Sequence, residues 1–233
     1  MDESLFHLIN ERWTNPALDL FMGALANVEV WRPLLIGVLI FLVVFGGFRG
    51  RACIFCLLVT LMICEPATSL LKSVVDRHRP KQVQSVRLVE LQHTRPAFMT
   101  MFHKPTIRYS DSSDRTRSGP SFPSGHVTNN TVMALCLTLF YRRGWLYWIV
   151  AAAIAYGRIY LGAHWPSDVI ATFFLATGET LLILAGLELI WRRATPKWAP
   201  RIYARHPSLV ERVAQASSLR SSNAQAGGSR HFQ

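Results

Sequence analysis

Acidic residues are scarce in this chain: 14 Asp and Glu stand against 25 Lys and Arg in 233 residues, a formal charge of +11. No cluster of carboxylates and no Cys/His set at ligand spacing stands out, so the sequence offers no site for magnesium or zinc and predicts independence from divalent ions. Cysteine is limited to Cys53, Cys56, Cys64 and Cys136, all inside apolar runs. Cys53 and Cys56 have the spacing of a metal or redox pair, but within a hydrophobic helix the four read as small apolar packing residues. A basic n-region is missing too: Met1-Asp2-Glu3-Ser4 is acidic, which argues against a signal peptide. The stretch 215–233 is rich in Ser, Gln, Gly and Ala without apolar periodicity, which predicts a disordered tail.

What is present is apolar. Half of the residues are hydrophobic, seven are Trp, and the mean hydropathy is +0.21, a composition for a membrane rather than for an ordinary soluble domain. Apolar runs cover 33–47, 52–71 (broken by Glu65), 144–157 and 169–190 (broken by Glu179 and Glu188), with weaker runs at 17–28 and 127–141. These predict six spans, the short ones extended by their flanks. Ahead of them Leu5, Phe6, Leu8, Ile9 and Trp13 recur at helical spacing opposite Glu3 and Glu11, as in a helix lying on the membrane surface or in a soluble amphipathic helix. Glu65 and Glu179 read as helix-packing partners inside their spans. Asn129-Asn130-Thr131 has the form of a glycosylation sequon but sits at the start of a span.

The positive charge is not distributed as nucleic-acid binding requires. Arg49 and Arg51 lie between the second and third runs, and Arg142 and Arg143 between the fourth and fifth. Arg192, Arg193, Lys197, Arg201, Arg205, Arg212, Arg220 and Arg230 follow the last, against Glu211 alone. With six spans these places share one side, which the positive-inside rule makes the cytoplasm, and both termini are expected there. The organisation that follows is a single all-α membrane domain over 1–214, with an extracytoplasmic loop at 76–122, and then the tail.

Three polar clusters fall on the opposite side. Lys72 and Arg79 are two helical turns apart, and Pro80 stops the helix; they are either snorkelling anchors or a pair of cations on one face. Pro123-Ser124-Gly125-His126 makes a tight turn into a helix. It offers either a plain Ser124 N-cap or an anion cradle of backbone N–H groups. Arg158 is a fixed cationic fork. Pro166 keeps His164 in a turn, and Asp168 lies across that turn, able to accept a hydrogen bond from one ring nitrogen; alternatively Asp168 is a capping residue beside a structural histidine. Two histidines, an aspartate and three cations at one membrane depth are costly to place and mark function.

These motifs resemble those of the type 2 phosphatidic acid phosphatases, which share their core with the vanadium haloperoxidases. Lys72 to Arg79-Pro80 matches Lys-x6-Arg-Pro, residues 123–126 match Pro-Ser-Gly-His, and Arg158, His164 and Asp168 match Ser-Arg-x5-His-x3-Asp; Gly157 departs from the serine the family often has. The resemblance implies a six-helix bundle with that phosphatase core. It implies that His164 attacks phosphorus with Asp168 orienting it, and that His126 serves as general acid and base. Lys72, Arg79, Arg158 and the N–H groups around Ser124 and Gly125 would bind phosphate without a metal or other cofactor. The implied substrate is a lipid phosphate, with undecaprenyl diphosphate first by analogy and phosphatidylglycerophosphate, phosphatidate or lipid A fitting equally. The implied place is a bacterial inner membrane with the site facing the periplasm. Transfer of the phosphoryl group to another lipid is a second reading, and a lipid-phosphate transporter a third. The 42 residues between Pro80 and Pro123 carry Arg87, Arg95, Lys104, Arg108, Arg115 and Arg117, and are either a lid that grips a headgroup or a solvated loop. The sequence gives no oligomeric state.

Overall fold

Among the helices of the computed structural model, which describes residues 2–92, 94–116 and 119–210, three are long and apolar enough to cross a membrane. They are α3 (Val28–Phe45), α4 (Gly47–Val75) and α9 (Pro166–Trp198). In α3 only Val30 is buried, and its other apolar side chains face outward all round, as a lipid-exposed helix requires. Helix α7 (Gly125–Phe140) is the axis of the bundle, packing against α4, α9 and α8 (Tyr147–Tyr160). With 16 and 14 residues, α7 and α8 rise about 24 and 21 Å, less than a bilayer core.

The predicted first span does not run end to end. Helix α1 (Asp2–His7) continues as a short π-helix over Leu8–Arg12, and α2 follows at Pro16–Ala26. Both ends of α2 sit at the end of the bundle that carries His126 and Tyr160. Asp19 accepts the Tyr160 hydroxyl at 2.5 Å, and the Ala26 carbonyl meets the ring of His126. Helices α3, α4, α7, α8 and α9 run between the two ends of the bundle, whereas α2 lies at the end that carries His126 and Tyr160. Asp19, in the first turn of α2, is buried in an ion pair with Arg87 of the hairpin at 2.6 Å. In the N-terminal helix Phe6 and Ile9 are buried with Val86, Val127 and Tyr160, while Leu5 and Trp13 are exposed. Asp2, held on Ser167 at the start of α9, lies at the end of the bundle opposite α10 (Pro200–Arg205).

The basic segments do share that other end. Phe48, beside Arg49, stacks on His206 at 3.9 Å between ring centroids, and Tyr141, beside Arg142, approaches Gly50. Buried Glu188 pins the chain after α10: its carboxylate accepts the N–H groups of Leu209 (2.9 Å) and Val210 (3.0 Å), the Ser208 hydroxyl (2.7 Å) and the Arg192 guanidinium. All four cysteines are free and buried, packed in one cluster with Val132, Phe140 and Leu184. Glu179 meets the Cys64 thiol between α9 and α4, whereas Glu65 is exposed on α4. The expected tail at 215–233 lies outside the described residues.

On the other side, 76–122 folds rather than dangling. Helix α5 (Pro80–Val83) leads to an antiparallel pair, β1 (Arg87–Glu90) with β2 (Thr106–Tyr109), in which Leu88 faces Arg108; α6 (Ser112–Thr116) follows. Single cysteines at exposed Ser4 and Arg201, probed in intact cells with a membrane-impermeant maleimide, are expected to label from opposite sides of the membrane. Labelling of both from one side contradicts this arrangement.

Candidate active site

The end of α8 aims the first histidine. Gly162 adopts φ +71, and the N–H groups of Gly162 and Ala163 bond the carbonyls of Ile159 and Arg158 at 3.0 Å each. This is the paired closure by which a left-handed glycine ends a helix. The turn is tight, with Val86 and the Arg87 carbonyl 3.1 and 3.3 Å from where a Cβ at Gly162 would lie. It delivers His164 into the interior, 2 % exposed, just before Pro166 opens α9. Asp168, fully buried at the third position of α9, accepts the Trp165 N–H at 3.0 Å.

Asp168 thus caps the helix, as one of the two sequence readings had it, but it does not bond His164 directly as the other required. Ser121 stands between them. Its hydroxyl donates to Asp168 Oδ2 in a short contact and lies 3.5 Å from His164 Nδ1, while its carbonyl accepts from the ring. Nδ1 is occupied on that side, and Nε2 is left for a reacting group.

Around this pair gather the other predicted residues. His126 lies within electrostatic reach of Lys72, Arg79 and Arg158, and His164 within reach of Arg79, Arg158 and His126. No described carboxylate forms an ion pair with Lys72, Arg79 or Arg158, and the Arg158 Nε is buried without a hydrogen-bond partner. Arg79 is clamped by the carbonyls of Gly119 (2.8 Å), Pro120 (3.3 Å) and Ala163 (3.4 Å). Ser124 is fully buried, and its hydroxyl neither caps α7 nor bonds anything else described, so the plain N-cap reading fails. Its N–H, expected to cradle phosphate, instead donates to the Thr172 hydroxyl at 3.0 Å. The Ser124 hydroxyl and the N–H of Gly125, the first residue of α7, are left as groups able to meet an anion.

Residues 52–192 match the PAP2 superfamily. The chain belongs to that superfamily. Across 204 residues it is 26% identical to a lipid A 4′-phosphatase of Porphyromonas gingivalis, covering 84% of this chain and 75% of that one. It is 42% identical over 84 residues to a putative undecaprenyl-diphosphatase of Escherichia coli, covering 35% and 40% of the two chains. Its fold is similar to that of a transmembrane PAP2-type phosphatidylglycerolphosphate phosphatase from Bacillus subtilis, with a TM-score of 0.52, 19% identity, and 82% of this chain and 88% of that chain covered. The chain is accordingly a PAP2 membrane phosphatase.

Glycine at 157, the departure from the family pattern, has a local cause in this PAP2 protein: a Cβ there would lie 3.3 Å from the Met22 sulfur of α2. Three residues of the site escaped the sequence reading. Ser121 and Thr172 carry hydroxyls that hold Asp168 and the Ser124 backbone, and Arg77 donates to Asp168 Oδ1 at 2.6 Å. The position of Thr172, one turn after Asp168 on the same helix face, was the available signal; Ser121 and Arg77 lie in irregular chain where spacing says nothing. Of the loop cations, Arg87 pairs with Asp19, and Arg108 pairs with Glu90 and Asp114 at 2.5 Å each, holding the Asp114 carboxyl down at about 2. These two arginines brace the loop, and Arg117 lies outside the described residues.

Burial, and then the charges of Arg158 and Arg79, hold His164 well below its ordinary value of 6.5. It is therefore the neutral, nucleophilic form at neutral pH. As pH falls through about 6.5 the unfolded chain takes up a proton that the folded, anion-free protein refuses, so stability declines on acidification and is restored above that pH. Thermal unfolding in detergent from about pH 7.5 down to about pH 5 should show a steeper loss for the wild type than for His164→Asn. Equal slopes contradict this assignment.

Proposed function

We propose that the protein hydrolyses a lipid phosphomonoester or diphosphate through a phosphohistidine. Nε2 of His164 forms the N–P bond as the P–O bond to the lipid breaks, and His126 protonates the departing oxygen. His126 then takes a proton from water, whose oxygen attacks phosphorus and cleaves N–P, releasing inorganic phosphate and restoring His164. Lys72, Arg79, Arg158 and the Ser124 hydroxyl hold the equatorial oxygens as charge shifts in the transition state. Asp168 acts through Ser121. The observation that carries this reading is the gathering of three cations without carboxylate partners around two imidazoles, a set of donors that suits a phosphoryl group and needs no divalent ion.

The positive-inside rule puts the end with Arg49, Arg142 and Arg192 in the cytoplasm and the site at the outer leaflet of a bacterial inner membrane, where headgroups reach it. Two substrates stand first. Undecaprenyl diphosphate is supported by the Escherichia coli relative, whose match covers about a third of this chain. Lipid A phosphate is supported by the Porphyromonas gingivalis relative, whose match covers 84% of it.

The test is phosphate release by the purified protein from these two lipids, phosphatidate and phosphatidylglycerophosphate, with a chelator present. Release is expected without an acceptor lipid and undiminished by the chelator. His164→Ala should lose at least about 10⁴-fold in kcat, as removal of a covalent nucleophile does. Release only when a second lipid is supplied points to phosphotransfer, and lipid movement that survives His164→Ala points to a transporter.

A further inference from the structure

Arg77 belongs to none of the three sequence motifs, yet it contacts Asp168 and the residues around it. Its Nη1 donates to Asp168 Oδ1 at 2.6 Å and to the Ser167 hydroxyl at 2.8 Å, and its Nη2 donates to Asp2 Oδ2 at 2.8 Å. Asp2 in turn accepts the Ser167 N–H at 2.9 Å and the Ser167 hydroxyl. The Arg77 carbonyl accepts the Ser121 N–H at 2.7 Å. One guanidinium thus bridges two carboxylates at the first turn of α9, and the same residue's backbone holds the serine that faces His164.

We infer that Arg77 is a positioning residue for the reaction, and that Asp2 of the N-terminal helix completes a latch that keeps Asp168, Ser121 and the start of α9 in register behind His164. The inference rests on the phosphohistidine reading of the site. Its physical basis is the buried carboxylate. Oδ2 of Asp168 is committed to the Ser121 hydroxyl and the Trp165 N–H, so among the described residues Oδ1 has Arg77 as its donor, and a buried charge left with an open oxygen is costly and rotates toward any donor. Rotation of Asp168 releases Ser121 and, with it, the orientation of the imidazole. Asp2 is delivered to this place by α1, whose Phe6 is fully buried with its ring 5.3 Å from that of Trp165. The Trp165 indole N–H donates to the His78 carbonyl at 2.9 Å, which ties the chain around Arg77 to the same turn. The Arg77 guanidinium is engaged by Asp168, Ser167 and Asp2, so it holds these groups rather than phosphate.

The experiment is steady-state kinetics of phosphate release by full-length variants in detergent. Arg77→Gln is expected to lose about 10- to 100-fold in kcat, the loss that goes with one charge-assisted hydrogen bond, with KM within about threefold of wild type because the residue does not touch the substrate. Arg77→Lys should recover most of the loss, since an ammonium reaches Asp168 although it cannot fork to Asp2 as well. Asp2→Asn should lose about three- to tenfold in kcat, and adding it to Arg77→Gln should change little, because Asp2 acts through Arg77. A kcat for Arg77→Gln within about twofold of wild type, or a loss confined to KM, overturns the inference. Should Arg77→Gln not fold, Asp2→Asn decides alone, and an unchanged kcat overturns it. His164→Ala in the same series separates the two ideas: retained turnover defeats the phosphohistidine reading, whereas an inactive His164→Ala beside a fully active Arg77→Gln defeats only the latch.

Discussion

Crowding of like charge governs this structure. Lys72 and Arg79 from one segment and Arg158 from another come to one end of the bundle, and none of them forms an ion pair with a described carboxylate. Asp168, whose charge reaches Arg79, is itself engaged by Arg77, Ser121 and the Trp165 N–H. Such an arrangement opposes folding, since buried cations repel and lose their hydration. It persists because the surrounding structure over-determines each group, and strain of this kind belongs where binding will relieve it.

The bundle supplies that over-determination with ordinary devices. The left-handed turn at Gly162 ends α8 where Arg158 and His164 face one volume. Pro166 and the capping Asp168 begin α9 at once, so nucleophile and acid are set by two helix ends that share a few residues. Arg79 is gripped by three backbone carbonyls, two of them from the strand of chain that leads into Ser121. The loop above is braced by its own ion pairs, Arg87 with Asp19 and Arg108 with Asp114, and the N-terminal helices close the side that the membrane-crossing helices leave open. His164 is neutral because burial first, and then the charges of Arg158 and Arg79, keep a proton off its imidazole.

The chemistry was legible in the sequence where spacing reports geometry. Lys72 and Arg79 two turns apart, the Pro-Ser-Gly turn before His126, and Arg158, His164 and Asp168 around a proline are local patterns, and the fold brings all of them together. What could not be read was long-range. The run 17–28 has the composition of a short span, and only Asp19 within it hinted that the helix lies across the site end, paired with Arg87 far along the chain. The direct bond expected from Asp168 to His164 failed for a similar reason, because the intervening hydroxyl of Ser121 is 47 residues away from Asp168 in sequence. Arg77 and Asp2 are ordinary loop and terminal charges until the folded chain sets them side by side.

The central claim is that six residues from three segments enclose one phosphoryl group with His164 in line. An experimental structure with bound orthovanadate, which adopts the geometry of phosphoryl transfer, tests it most directly. The account predicts vanadium bonded to His164 Nε2, equatorial oxygens within hydrogen-bond reach of Lys72, Arg79, Arg158 and the Ser124 hydroxyl, and His126 at the apical oxygen opposite. Vanadate bound elsewhere, or His126 and His164 on different sides of the membrane, would contradict it.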